Sequence, residues 1–139
     1  ALRWRLMVAK ASGKANLTTV LLASWICPGA GHLLLGQRFR AALNCVAVGG
    51  LFWLGLALHA YFVFPSTPGE TFALFKFLGA LASGGHYFVA YILQLGMGDL
   101  DVFRAALTNE IGNTCLYTAG ILNVLVLVDA WDLHSGRKK

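Results

Sequence analysis

Four long apolar stretches fill most of this 139-residue chain, and nearly all of its charge lies between them or at the ends. That pattern constrains the fold more than any motif does. Hydrophobic residues make up 58% of the sequence and charged residues only 12%, whereas a soluble domain needs about a quarter of its residues charged to cover its surface. The missing polar surface implies an apolar solvent, and hydrocarbon is the simplest one. The sequence therefore predicts an all-α, integral-membrane helical bundle of four spans over residues 17–132. A basic amphipathic segment precedes it at residues 1–16, and a basic tail follows at residues 133–139.

A net charge of +5 suggests a nucleic-acid partner until its placement is considered. Arg3, Arg5, Lys10 and Lys14 precede the first apolar stretch, and Arg137, Lys138 and Lys139 close the chain. Cations that flank spans serve topology and anionic headgroups, so lipid headgroups are the expected partners of the basic ends and nucleic acid is not. Trp4 among the first cations predicts a short helix lying in the headgroup region. A cleaved signal peptide is the competing reading of this end, but no small-x-small site follows the apolar run. Cys27, Cys45 and Cys115 have neither disulfide nor zinc spacing and read as small apolar residues.

The first stretch runs from Leu17 to Gly36, and Pro28-Gly29 interrupts it. A proline without a backbone donor, followed by glycine, predicts a kink or a break. The second stretch, Ala41 to Phe64, carries no formal charge and ends at the turn Pro65–Glu70. The third runs from Phe72 to Leu95, with Lys76 near enough to its edge to snorkel. A polar connection over Gly96–Asn113, with a surface helix at 100–107, leads to the last span at 114–130 and its interfacial Trp131. Four spans put both termini on one face, expected to be the cytoplasmic side of a bacterial inner membrane, with seven of the eleven cations. Arg38 and Arg40 then fall outside, against that rule. A re-entrant hairpin at 17–36 moves them inside but sends the C-terminal cluster out, so four spans is the preferred reading.

Lipid supplies no hydrophobic force between helices, so small and polar residues mark the contacts. Gly79 with Ser83 and Ala80 with Gly84, each at i, i+4, predict a smooth packing face on the third span, which Gly85 extends. Asn44 and Asn123 each need a partner, because an unpaired amide in hydrocarbon costs about 2–7 kcal/mol. Asp129, at the membrane exit, has Arg38, Arg40 or a terminal lysine within reach.

Intramembrane histidines are the candidates for cofactor chemistry. Counting from the Pro65–Glu70 turn, continuous helices put His59 roughly 8 Å deep and His86 roughly 21 Å deep. That difference separates them into two sites. His86, beside Gly84 and Gly85, has the small neighbours that a single axial ligand to haem or chlorophyll requires, although nothing in the sequence demands a cofactor. His32 and His134 join no cluster. No intramembrane carboxylate pair, HExxH, CxxC or phosphate loop is present, so an enzyme is not expected.

Two stretches carry a family resemblance. CPGAGHLLLGQRFRAAL (Cys27–Leu43) resembles the PGxGHxYLG-then-basic element of small bacterial membrane proteins related to the two-transmembrane-helix domain, with Leu34 where those proteins have an aromatic residue. NEIGNTCLYTAGILNVLVLVDAWD (Asn109–Asp132) is similar to the closing segment of an uncharacterised bacterial family with the same first element. The resemblance implies a small polytopic inner-membrane protein and supplies no catalytic residue. The leading expectation is a non-catalytic accessory subunit, its partners other membrane subunits of an electron-transfer or photosynthetic assembly. The alternatives are a pigment- or haem-binding subunit using His86, and a lipid or small-solute carrier with a polar cavity reached by Asn44, Asn123 and Lys76.

Overall fold

The computed structural model describes residues 15–137. The amphipathic segment expected over residues 1–16 lies outside the described residues except for its last two, as does the end of the basic tail. The described residues are all-helical, without strands: α1 (Leu17–Ile26), α2 (Ala30–Leu34), α3 (Arg38–Ala57), α4 (Ala73–Ala82), α5 (Gly85–Ile92), α6 (Leu100–Ala105) and α7 (Asn109–His134).

Two of these helices, α3 and α7, are long and apolar enough to cross a membrane. At 1.5 Å per residue they measure about 30 and 39 Å. Neither contains proline, and Glu110 in the first turn of α7 and His134 in its last suit the helix dipole. The expected first and third spans are each split into two short helices. Contacts across each break show that the chain doubles back there. A side chain on Gly31 of α2 would run into Ser24 and stand 2.6 Å from the Val20 carbonyl of α1, a position that a continuous helix cannot reach. On the other side of the molecule, α5 leaves the break at Gly84 and returns to where α4 began: Gly96 packs on Ala60 and Phe62 at the end of α3. The expected four-span bundle is not confirmed: two helices are long enough to span, and each of the other two stretches is folded into a helical hairpin.

The hairpins enter from opposite ends. α1 begins beside the end of α7, where His134 meets the Ala15 carbonyl at 3.1 Å. It descends antiparallel to α7 until Trp25 reaches Asn123, near the middle of that helix. α4 begins at the other end and runs parallel to α7, with Gly79 on Gly120 and Ala82 on Asn123. The order short helix, break, short helix, long helix thus occurs twice, but the packing is not symmetric. Both α1 and α4 lean on α7, which also packs along α3. The core lies between α3, α7 and the second hairpin, built on Val48, Phe52, Ala80, Tyr87, Leu116 and Ala119.

The helix ends are closed by backbone geometry. After α2, α3, α5 and α7 the second residue past the cap donates back to the last turn (Gln37 to His32, Ala60 to Gly55, Leu95 to Ala90, Arg137 to Asp132, at 2.8–3.0 Å), as in a Schellman motif. Two of the left-handed positions are glycines, Gly36 and Gly136; the other two are His59 and Gln94. His59 therefore ends α3, so the second span stops at Ala57 and not at Phe64. Residues 60–63 continue as buried, non-helical chain whose polar groups need partners. Asn109 donates to the His59 carbonyl at 2.8 Å, Asn113 accepts from the Tyr61 amide at 3.3 Å, and the Phe62 amide donates to Gly96 at 2.8 Å. The two asparagines are four residues apart, so one face of α7 carries both, and α7 begins at Asn109, earlier than the expected span.

Candidate functional site

The tips of the two hairpins meet at the centre of the molecule. Each break leaves carbonyls without helical donors. The Asn123 side chain, fully buried, donates to the Ala82 carbonyl at 2.9 Å and the Trp25 carbonyl at 3.3 Å, so one amide on α7 closes both helix ends. The approach is backbone to backbone. A side chain on Gly84 would overlap the Trp25 carbonyl oxygen, and one on Gly85 would overlap that of Ile26. Gly84 is at φ +69° and Gly29, in the other tip, at φ +95°, a region costly for residues with a Cβ.

The small residues expected to form a packing face work inside the chain. Gly79 contacts Tyr117 and Gly120, Ala80 is in the core, Ser83 is buried with its hydroxyl donating to the Ala80 carbonyl at 2.6 Å, and Gly84 is the junction with Trp25. That face packs mainly on α7 and α1 of the same chain, with Gly79 also bordering a groove between α4 and α7.

His86 and His59 lie apart. His59 is exposed at the end of α3, its Nδ1 3.3 Å from the Thr108 hydroxyl, and it does not sit within a span as continuous helices had implied. His86 is near the centre. A Cβ on Gly49 would stand 3.2 Å from its Nε2, the rings of Phe52 and Trp53 lie 5.6 and 6.3 Å from its own, and the Ser83 backbone is its polar neighbour. A macrocycle bound through Nε2 needs the volume that Gly49 and these rings fill, so the residues present do not fit an axial ligand. Among the described residues no group of three or more His, Cys, Asp or Glu side chains is placed to hold a metal.

Asn44, Asn123 and Lys76 do not share a cavity. Asn44 lines a small space of about 220 Å³ between α3 and α7 with Asp129, at the end where α1 begins and α7 ends. There Asp129 accepts from His32 at 2.9 Å and lies 3.9 Å from Arg40. Lys76 is at the opposite end, in a polar region. Its ammonium donates to Glu70 at 2.6 Å, Arg104 donates to the same carboxylate at 2.9 Å and to the Pro68 carbonyl at 2.9 Å, and the Tyr61 hydroxyl donates to it as well. Burial alone would raise the Glu70 pKa, but these three donors outweigh it and bring it down to about 2. Hydrogen bonding to Tyr61, and after it to Glu70, holds Arg104 above its ordinary value. The network borders a cavity of about 420 Å³ that Asn109, Glu110, Asn113 and Tyr117 also line. Of its members, sequence reasoning singled out only Lys76. The signals available for the rest were the Asn109/Asn113 spacing and a lone acid in the Pro65–Glu70 turn.

A family of unknown function, DUF6677, matches residues 19–139, which is most of the chain. The chain belongs to DUF6677. No curated protein and no solved structure matches it at a significant level. Membership in an uncharacterised family is what the two resembling stretches had implied, and DUF6677 supplies no residue roles beyond those read from the geometry above.

Proposed function

We propose that this DUF6677 protein is a non-catalytic subunit of the bacterial cytoplasmic membrane, with α3 and α7 crossing the bilayer and the two hairpins re-entering it from opposite faces. The observation that carries this reading is burial. Only 28% of the apolar window of α3 and 39% of that of α7 is buried, whereas the core helix of a soluble protein turns most of its apolar surface inward. Large apolar side chains such as Phe39, Val46, Phe75 and Ile92 face outward on several helices, as lipid contact demands.

The hairpin geometry supports the same reading. Non-helical backbone at membrane depth is tolerated only when protein covers it. Pro28, Gly29, Ser83 and Gly84 are all buried, and Asn123 serves the carbonyls between them. The charges agree too. Arg38, Arg40 and Arg137 belong to the end where α1 begins and α7 ends, while Lys76 and Arg104 at the other end are both paired with Glu70. With two re-entrant hairpins, Arg38 and Arg40 return to the side of the C-terminal cations, and the conflict of the four-span reading disappears. That side is the cytoplasmic one by the positive-inside rule.

As an accessory subunit, the protein turns the outward faces of α3 and α4 to lipid and to the helices of a larger complex. No side chain among the described residues favours an electron-transfer or photosynthetic assembly over another.

Single cysteines in a background lacking Cys27, Cys45 and Cys115 test the topology. With Ser135→Cys as reference, a membrane-impermeant maleimide should label Gln37→Cys from the same side and Ser66→Cys from the opposite side. Four spans require the reverse at both positions, and that result would overturn the re-entrant arrangement. Purification from native membranes in mild detergent tests the subunit role: a monomer with no stoichiometric partner would end it.

A further inference from the structure

The polar cavity beside Glu70 does not end within the protein. A second concave surface of about 450 Å³ adjoins it, lined by Leu78, Gly79, Ala82, Ile121 and Val124 between α4 and α7. Lys76 and Tyr117 line both. The first space is polar and charged, and the second is apolar. The apolar groove runs from Lys76 to Ala82, roughly 9 Å along α4, and ends level with Asn123 at the centre of the molecule. It covers most of one leaflet's depth, since half a hydrocarbon core is about 15 Å.

Four charged groups line the polar space, Lys76, Arg104, Glu70 and Glu110, and formally they cancel. They are not equivalent. The Glu70 side chain is 6% exposed and already accepts from three donors. Lys76 and Arg104 are each about one-third exposed and keep further N–H groups beyond the bonds to Glu70. Glu110 is exposed at the start of α7. At the junction of the two spaces, the Tyr117 hydroxyl is buried and has no hydrogen-bond partner, a costly arrangement that a ligand oxygen would relieve.

We propose that this continuous polar-to-apolar surface binds one zwitterionic phospholipid from the leaflet opposite the end of α7. Its phosphate meets Lys76 and Arg104, its ammonium meets Glu110, an ester oxygen accepts from Tyr117, and one acyl chain lies in the groove over Gly79. A dipolar headgroup uses both signs of charge on the lining, whereas an anionic headgroup gains one and opposes the other. This proposal rests on the membrane reading above.

The test uses the full chain, purified in mild detergent and first floated on phosphatidylcholine vesicles to establish membrane insertion separately. Native mass spectrometry after incubation with phosphatidylethanolamine or phosphatidylglycerol then reads retained lipid. One phosphatidylethanolamine per chain is expected, retained more strongly than phosphatidylglycerol. Retention should fall about tenfold in Lys76→Gln, which removes a charge-assisted contact, and comparably in Ile121→Trp, which fills the groove. Ile121 is 61% exposed, so its variant folds even if Lys76→Gln does not. No retained lipid on the unmodified chain, equal retention of both lipids, or retention unaffected by Ile121→Trp would overturn the proposal. Failure to float would instead remove the membrane reading.

Discussion

The two hairpins make the same reversal by different means. The first turns at Cys27-Pro28-Gly29, where a missing donor and a glycine at φ +95° stop the helix by covalent geometry. The second turns at Ser83-Gly84-Gly85, which contains no proline. Small residues there are equally compatible with a continuous helix that has a smooth face, as the i, i+4 pairs had suggested. The second break is where the tip of the first packs: the Trp25 and Ile26 carbonyls sit where side chains on residues 84 and 85 would be. Proline marks the first tip in the sequence, whereas only packing marks the second, so they should respond differently to substitution.

The largest effect should come from Gly84→Ala. A methyl group there overlaps the Trp25 carbonyl on a backbone at positive φ, and we expect a loss of about 3 kcal/mol or more, read as a drop in melting temperature in detergent. Retention of full stability would mean that the two tips do not touch. Asn123→Leu comes next. It strips the donor shared by Trp25 and Ala82 and leaves two buried carbonyls unserved, at a cost of about 2–3 kcal/mol. If the tips are coupled through Asn123, hydrogen exchange should rise at both of them; a rise confined to one would separate the hairpins.

Glu70→Gln tests the outer end of the second hairpin. Losing the carboxylate that Lys76, Arg104 and Tyr61 share should cost about 2 kcal/mol. Because the folded pKa, about 2, lies below the ordinary value of 4.5, the contribution is complete above pH 4.5 and is lost as pH falls toward 2. Melting temperature should therefore fall as pH is lowered through that window in the unmodified chain, and fall less in Glu70→Gln. Equal slopes would assign the acid sensitivity elsewhere. The smallest effect is a gain. His59 occupies a left-handed position at φ +64°, and His59→Gly should stabilise the end of α3 by about 0.5–1 kcal/mol. A loss would show that its contact with Thr108 outweighs the backbone strain.

The candidate site was less legible than the fold. Lys76 stood out because a charge within an apolar run always does, and Asn123 because an amide in hydrocarbon must find partners. Tyr61, Glu70, Arg104 and Asn109 are ordinary residues of turns and connections in sequence. They become one network only because α3 stops at His59 and the following chain is drawn across the start of α7. The depth assigned to His59 failed for the same reason, since apolar composition continues to Phe64 although the helix does not.

By itself the sequence determined the helical class, the apolar exterior, the break at Pro28-Gly29 and the need for partners at Asn123. These follow from residue chemistry and from intervals of a few residues along the chain. Only the tertiary structure decided that the breaks are reversals, that they come from opposite ends, and that the small-residue face of α4 packs mainly on helices of the same chain. An apolar stretch with a flexible centre has nearly the same local energy as a kinked helix or as a hairpin. The choice between them rests on which backbone carbonyls find a donor, and here that donor is a side chain 41 residues away from one of them and 98 from the other.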